Sequence, residues 1–130
     1  MNSDLMNNAF LILSGIRAQK ASDVNFTRVL RNLLPGQQVR DVEFYDINQS
    51  KFAYCCASKC AKIGSSDAVP VFWNRLLVKQ HGSLLLIRIQ ESDDELEIRV
   101  EVHLHDNSVR VYTFKILVVK GTRGNYSIQD

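Results

Sequence analysis

The stretch "LEIRVEVHLH", residues 96–105, contains the clearest structural pattern in the chain. Apolar and polar residues alternate strictly through it, and this period of two predicts a β-strand with one buried and one exposed face. The residues predicted to be buried are Leu96, Ile98, Val100, Val102 and Leu104. The opposite face carries Glu97, Arg99, Glu101, His103 and His105. The sequence therefore predicts a sheet strand whose outer face holds charges of both signs.

The segments on either side extend this strand into an antiparallel meander. "DNS" at 106–108 favours a short hairpin turn, and "VRVYTFKILVVK" at 109–120 is a long run of β-branched and aromatic residues, which is typical of a strand. Upstream, "SLLLIRIQ" at 83–90 predicts another strand. "ESDDE" at 91–95 then predicts a polar, solvated turn between the two strands.

Helical spacing is found earlier in the chain. Apolar residues recur at intervals of three and four in residues 5–16, after Ser3 or Asp4 as a cap, and again in 24–34, after Ser22 or Asp23. "IGSSDAVPVFWNRL" at 63–76 predicts a loop followed by a short aromatic helix. Between 39 and 62, "VRDVEFYDI" fits either a strand or a helical turn, and "KFAYCCASKC" alternates well enough to be a strand. The order of elements predicts an α+β fold, in which N-terminal helices pack on one face of a strongly curved antiparallel sheet.

Composition places few limits on function. The 130 residues are predicted to form a single domain over 1–130, and 45% of them are hydrophobic. A formal net charge of +2 without a basic block argues against direct nucleic-acid binding. The longest apolar runs are too short to span a membrane, and residues 1–16 lack the basic start of a signal peptide. We expect a soluble intracellular protein of the nucleus or cytoplasm that contacts neither nucleic acid nor membrane.

The cysteines are confined to one short segment. Cys55, Cys56 and Cys60 lie within six residues, and no other cysteine is available for a scaffold of bridges. "CCASKC" also lacks the C-x-x-C spacing of metal and redox sites. Because free cysteine is among the most buried residue types, we expect structural cysteines here.

At the family level, the chain resembles the nuclear transport factor 2-like superfamily of cone-shaped α+β domains. The resemblance lies in "FYDINQSKF" at 44–52, "IGSSDAVPVFWNRL" at 63–76 and "YTFKILVVKGTRGNYSIQD" at 112–130. The positions that match the superfamily motifs are Gly64, Ala68, Val69 and Phe72 in the helix and Tyr126, Ile128 and Asp130 in the last strand. The resemblance implies a cone whose interior is filled by Phe72, Trp73 and Leu76.

The same resemblance implies a function in protein association. Nuclear transport members of the superfamily dimerise through the sheet, some with themselves and some, as small subunits of messenger-RNA export receptors, with a related domain. Strand 109–120 has large apolar residues on both faces, which favours a second covering layer. We therefore expect a non-enzymatic interaction subunit, a homodimer or heterodimer, with a role in nuclear transport or messenger-RNA export. The predicted partner-binding residues are Arg99, Glu101, His103, Arg110, Tyr112 and Phe114.

The alternative is a small cone-fold enzyme or ligand-binding protein, similar to the isomerases and cyclases of the superfamily, that acts on a hydrophobic molecule. Its candidate residues at the mouth of the cone are Tyr45, Asp46, His103 and His105. His103 and His105 share a strand face, but the sequence names no third ligand for a metal. The sequence therefore predicts no cofactor, no metal and no catalytic residue under the leading hypothesis.

Overall fold

A computed structural model of the chain describes residues 13–64 and 70–119. These residues form two β-sheets that enclose one hydrophobic core. In chain order, the elements are β1 (Leu13–Gln19), β2 (Val24–Asn25), α1 (Phe26–Leu33), β3 (Val39–Tyr45), β4 (Lys51–Cys56), β5 (Lys59–Lys62), β6 (Leu76–Lys79), β7 (Ser83–Leu86), β8 (Leu96–Leu104) and β9 (Val109–Val119). Short 3₁₀ turns span Trp73–Arg75, Gln80–Gly82 and Glu91–Asp93.

The larger sheet has six strands in the order β1-β9-β8-β3-β4-β5, and the smaller has the order β2-β7-β6. Every pairing is antiparallel except that of β1 with β9, which is parallel. The prediction of N-terminal helices on one curved sheet is therefore wrong. Within the described residues, the structure is a sandwich of two sheets with a single α-helix, α1.

The alternation of buried and more exposed residues in β8 and β9 explains how the larger sheet contributes to the core. Ile98, Val100 and Val102 of β8 expose 0% of their surface, as do Phe114 and Ile116 of β9. These residues form cross-strand pairs, for example Ile98 with Phe114, and cover one face of the larger sheet. Leucines of β6 and β7 approach from the smaller sheet, and Leu84 and Leu86 are likewise fully buried. The strands and inward positions predicted for 96–104 are confirmed.

Four aromatic side chains connect the elements on the other side of the core. The rings of Phe26 and Phe44 lie 6.1 Å apart, those of Phe44 and Phe52 lie 6.2 Å apart, and Phe52 meets Phe72 edge-on at 5.1 Å. All four are at most 2% exposed. Burial of this size contributes strongly, since truncating a buried Phe to Ala costs about 3–5 kcal/mol. This aromatic series ties the helix α1 to the larger sheet.

The predicted helices have different outcomes. Helix α1 confirms the helical spacing in 24–34, although the Asn25 side chain, rather than Ser22 or Asp23, caps it by accepting a hydrogen bond from the Arg28 amide (3.0 Å). The helix predicted over 5–16 is wrong where it is described, because Leu13–Gln19 is a strand. The rest of that segment lies outside the described residues.

The aromatic helix predicted after Gly64 is also wrong for its described part. Trp73–Arg75 forms one 3₁₀ turn, and β6 begins at Leu76. Phe72 and Leu76 are buried at 2% and 3% exposure, but they fill the space between two sheets rather than the interior of a cone. Trp73 is only partly buried, and its indole nitrogen donates to the Ile63 carbonyl oxygen (3.2 Å).

The "ESDDE" segment is a structural connection rather than a solvated tip. Asp93 is 4% exposed, and its carboxylate receives two hydrogen bonds from the Arg75 guanidinium, at 2.8 and 3.0 Å. Asp93 also accepts the Gln90 amide at 2.8 Å. The pair joins the start of β6 to the turn before β8, so a charged segment that looked external holds the two sheets together.

Candidate functional site

The outer face of the larger sheet brings together charged and aromatic side chains from β3 and β8. The two strands pair so that Asp41 lies opposite His103, Glu43 opposite Glu101 and Tyr45 opposite Arg99. Their neighbours in sequence, among them Val42, Phe44, Val100 and Val102, point into the core. Because side chains alternate across a strand, one buried face forces six polar or aromatic side chains onto the other. We call these six residues, with Lys51 of β4, the β3–β8 cluster.

Each carboxylate of the β3–β8 cluster uses one oxygen for a neighbouring cation. The Lys51 ammonium lies 2.9 Å from Oε2 of Glu43, and Nη2 of Arg99 lies 3.0 Å from Oε2 of Glu101. The Lys51 hydrogen bond is the main reason that the pKa of Glu43 falls below its ordinary value of 4.5. Glu43 therefore stays ionised to lower pH than an ordinary glutamate.

The remaining oxygens face His103. Its Nδ1 lies 2.5 Å from Oδ1 of Asp41, while Oδ2 of Asp41 faces Nε of Arg40 at 3.3 Å. Nε2 of His103 lies 3.9 Å from Oε1 of Glu43 and 3.8 Å from Oε1 of Glu101. The two glutamate oxygens that are not paired with cations therefore point towards the same imidazole nitrogen.

Tyr45 and Arg99 form the other end of the β3–β8 cluster. The Arg99 guanidinium carbon lies 4.6 Å from the centre of the Tyr45 ring, within the range of a cation–π contact. The Tyr45 hydroxyl donates to Oε1 of Glu43 at 2.8 Å. Burial, reinforced by this hydrogen bond, raises the pKa of Tyr45 to about 12. Nε of Arg99 is buried without a hydrogen-bond partner among the described residues.

The structure separates the six residues that the sequence assigned to partner binding. Arg99, Glu101 and His103 lie together on the outer face. Tyr112 and Phe114 are 4% and 0% exposed, and so lie in the core and cannot contact a partner in this structure. Arg110 shares their side of β9, near the end of the strand, opposite Val102 of β8.

Sequence reasoning did not assign Asp41, Glu43 or Lys51 to the site. The signal was present in "VRDVEFY" at 39–45, in which Val42 and Phe44 are the buried alternates. The sequence of that segment fits both a strand and a helical turn, because its apolar alternation covers only two buried positions. A strand assignment would have placed Asp41, Glu43 and Tyr45 on one face.

The residues proposed for the mouth of a cone do not converge. Tyr45 lies in the β3–β8 cluster, while Asp46 stabilises the β3–β4 turn by accepting the Asn48 and Ser50 amides at 2.9 and 3.0 Å. His105 is exposed at the end of β8. A cleft of about 320 Å³ lies elsewhere, between α1 and the ends of β3 and β4, and none of these three residues lines it. The cone-fold enzyme hypothesis is therefore wrong for this chain.

A disulfide bridges β4 and β5 on the inner face of the larger sheet, opposite to the β3–β8 cluster. Cys55 and Cys60 face each other in the strand register, with Cα atoms 4.0 Å apart, and their sulfurs are bonded. Cys56 is free and exposed. Cys55 and Cys60 are thus structural through a bridge rather than as free thiols, and the burial expected of a free cysteine is wrong for Cys56. None of the helices in 13–64 and 70–119 is long and apolar enough to cross a membrane.

Comparisons with known proteins identify the fold. No family model and no curated protein matches the chain. Among solved structures, the first Ig-like domain of human CD48 antigen is similar at a TM-score of 0.57 and 15% identity, covering 91% of this chain and 90% of that one. Murine CRIg is similar at a TM-score of 0.49 and 14% identity, covering 82% of this chain and 93% of that one. The Ig1 domain of mouse SynCAM 2 is similar at a TM-score of 0.47 and 8% identity, covering 86% of this chain and 95% of that one.

The strand order agrees with this likeness. In variable-type immunoglobulin domains, strands C′ and C″ extend the sheet formed by G, F and C. Here β9, β8, β3, β4 and β5 follow one another in that order, and β2, β7 and β6 form the opposite sheet. The resemblance to nuclear transport factor 2-like domains is therefore wrong, and a nuclear transport or messenger-RNA export role falls with it. The chain has an immunoglobulin-like fold.

Two hallmarks of antibody domains are missing from this fold. Antibody domains carry a disulfide between strands B and F and a tryptophan on strand C that packs against it. All three cysteines here lie in 55–60, and the single tryptophan is Trp73, outside β3. Ile98 and Val100 of β8 and Phe44 of β3 fill the centre of the sandwich instead. The sandwich is thus held by apolar packing and by the Arg75–Asp93 pair.

Proposed function

We propose that this domain is a non-enzymatic recognition domain that binds a protein partner through the outer face of its six-stranded sheet. The observation that carries the proposal is the β3–β8 cluster, which combines an aromatic ring with charges of both signs on a rigid pair of strands. Tyr and Arg are enriched in the energetic centres of protein interfaces. An immunoglobulin-like fold supports the proposal, since domains of this fold typically act in recognition.

The state of Arg99 supports the same proposal. Its guanidinium stacks on Tyr45 and pairs with Glu101, yet Nε has no hydrogen-bond partner among the described residues. A buried donor without a partner is costly, so the stability of the fold alone does not explain why Arg99 is held in this position. Val111 and Thr113 of β9 lie beside Glu101 and Arg99 in the register and extend the surface with partly exposed, smaller side chains.

The proposal includes an oxidising compartment, such as the outside of a cell. The Cys55–Cys60 bridge supports it, because disulfides persist in secreted and surface proteins and are rare in the cytosol. The intracellular location expected from composition stays a prediction. A thiol assay on the chain taken directly from its native cells separates the two, since one free thiol supports the proposal and three support the intracellular prediction.

The experiment exchanges the charges of Arg99 and Glu101. The double variant Arg99→Glu/Glu101→Arg keeps an ion pair on β8 but reverses its direction, so the fold is retained while complementarity to a partner is lost. Biotinylated domains assembled into tetramers are used to stain cells, including cells that display this chain, so that self-pairing is also detected. Tetramers are used because multivalency reveals weak binding.

We expect the exchanged variant to lose staining that the native domain shows. The matched control exchanges Lys20 and Glu91, an exposed pair 3.5 Å apart away from β3 and β8, and should stain like the native domain. Equal staining by all three proteins would show that the β3–β8 cluster is not the recognition surface.

A further inference from the structure

Three side chains of the β3–β8 cluster bring potential metal-ligand atoms close together, an arrangement that a protein interface does not require. One ligand atom each from Glu43, Glu101 and His103 lies within 4.8 Å of the other two, and all three residues are partly buried. Their side chains are 17%, 24% and 19% exposed. One imidazole nitrogen and two carboxylate oxygens form a donor set that suits a divalent metal ion.

The glutamate oxygens that face the imidazole are those that neither Lys51 nor Arg99 engages. Lys51 is paired with Oε2 of Glu43 and Arg99 with Oε2 of Glu101, whereas Oε1 of each faces Nε2 of His103. Within the described residues, the hydrogen bond that the Tyr45 hydroxyl donates to Glu43 is the only one to either Oε1. Two like charges directed at one point repel each other, and a cation at that point would relieve the repulsion.

The orientation of His103 gives a second and independent reason. Its Nδ1 lies 2.5 Å from Oδ1 of Asp41, so the imidazole ring is fixed with Nε2 towards the two glutamates. The separations of 3.8 and 3.9 Å from those glutamates are too long for hydrogen bonds. A metal-ligating histidine almost always has its other ring nitrogen bound to a carboxylate or carbonyl in this way.

We propose that Glu43, Glu101 and His103 bind a divalent transition-metal ion on the outer face of the six-stranded sheet, with Asp41 as a positioning residue. His103 contributes Nε2 and each glutamate contributes Oε1. An imidazole ligand favours zinc over magnesium or calcium, which prefer all-oxygen sites. Zinc with three protein ligands retains a fourth position for water.

The distances require only a small adjustment. Two atoms bound to zinc at about 2.0–2.1 Å lie about 3.3 Å apart in a tetrahedral arrangement. Each glutamate oxygen must therefore move towards Nε2 by about half an ångström. Glu43 and Glu101 face each other on paired strands, so the adjustment is made by side chains at one position of the register.

The first test is a titration of the untagged native domain with zinc chloride at neutral pH. Isothermal calorimetry should give one zinc ion per chain, and magnesium chloride at the same concentrations should give no saturable binding. Nitrogen-detected NMR of the histidine rings reports the site directly. The Nε2 resonance of His103 should move on zinc addition, while those of His81 and His105 stay in place. An unmoved His103 at saturating zinc would overturn the proposal without any variant.

Variants then assign the ligands. His103→Gln and Glu101→Gln should each weaken zinc binding at least tenfold, the lower end of the losses of about 10- to 100-fold seen when groups supporting a metal site are removed. The matched control is His105→Gln, two residues along the chain, at an exposed side chain outside the cluster. It should bind zinc like the native domain. Native affinity in His103→Gln, or equal loss in His105→Gln, would overturn the proposal.

Asp41→Asn tests the positioning residue. We expect zinc affinity to fall about 10- to 100-fold, and the NMR pattern of the metal-free His103 ring to change its preferred tautomer. A general loss of structure would not produce that tautomer change in a domain whose amide spectrum is otherwise native. Native affinity in Asp41→Asn would remove Asp41 from the site. None of these measurements involves a partner, so the metal site and the recognition surface can fail separately.

Discussion

Two charged assemblies lie in different parts of this sandwich, and they are built in opposite ways. The Arg75–Asp93 pair is closed: two guanidinium bonds and the Gln90 amide occupy both carboxylate oxygens, and Arg75 also donates to the carbonyl oxygens of Ile87 (3.2 Å) and Arg88 (3.0 Å). The side chains of Arg75 and Asp93 are only 13% and 5% exposed. Every polar group of the pair that faces the interior is used within the protein itself.

The β3–β8 cluster is open by comparison. Two carboxylate oxygens face an imidazole nitrogen without bonding to it, and one nitrogen of Arg99 has no partner among the described residues. A buried polar network stabilises a fold only when its members are satisfied. The difference indicates which charged groups serve function. The closed pair maintains the fold, whereas the open cluster leaves glutamate oxygens on a rigid sheet available for a ligand.

Removing one member of the Arg75–Asp93 pair should have the largest effect on the free energy of unfolding. Arg75→Ala leaves the Asp93 carboxylate buried without its partner, which should lower the free energy of unfolding by about 3–5 kcal/mol. Urea unfolding followed by circular dichroism measures the change. Lys20→Ala removes one member of an exposed ion pair and should change stability by less than about 0.5 kcal/mol. A loss below about 1 kcal/mol for Arg75→Ala would contradict the closed description.

Removing the disulfide between β4 and β5 should have the next largest effect on stability. Cys55→Ala/Cys60→Ala removes a bridge across a sequence separation of 5 residues, and loop closure of this length is worth about 2 kcal/mol. Thermal unfolding of the oxidised native domain and the double variant gives the difference. Cys56→Ala, at the exposed free cysteine, is the control and should leave stability unchanged. Equal stability of all three proteins would show that hydrogen bonding alone holds β4 and β5 together.

Removing a charge from the β3–β8 cluster should change the free energy of unfolding less than either of these variants. Glu101→Gln breaks the Arg99 pair but also removes one of the two carboxylates that face His103, so the two effects oppose each other. We expect the unfolding free energy to change by at most about 1 kcal/mol in urea titrations without added metal. A loss as large as that of Arg75→Ala would mean that the cluster maintains the fold after all.

The smallest expected effect is the pH dependence of the contribution that Glu43 makes to stability. The folded-state pKa of Glu43 is lowered from 4.5, chiefly by Lys51, so ionised Glu43 stabilises the fold fully above about pH 4.5. That stability is lost as the pH falls through the lower folded-state pKa. The stability difference between the native domain and Glu43→Gln should therefore shrink as pH drops below 4.5. A difference that stays constant with pH would show that Glu43 gains nothing from Lys51.

The sequence predicted well those parts of the fold whose pattern was long and strict. Strands β8 and β9, the turn between them and the buried face of β8 follow from alternation over many residues. The arrangement of the strands did not follow, because alternation says which face is buried but not which strand lies alongside. An antiparallel hairpin of 96–104 with 109–119 fits a cone and a sandwich equally well.

The errors arose in short segments, where few residues carry the pattern. Leu76 satisfied the spacing of an aromatic helix, yet it pairs with Leu86 as a strand residue, since cross-strand packing outweighs weak local preference. The candidate site was half predicted for the same reason. Its β8 residues lie on the strict pattern, while Asp41, 62 residues before His103, becomes a neighbour only after the sheet has formed.

The parallel pairing of β1 with β9 has a mechanical consequence. Their register runs from Leu13 beside Thr113 to Gln19 beside Val119, so the chain enters β1 at one end of the sandwich and leaves β9 at the other. Tension between these two points acts along both strands and across their hydrogen bonds, which are loaded together in shear. The domain should therefore resist stretching through its first and last described strands, with a lifetime under load set by its unfolding rate.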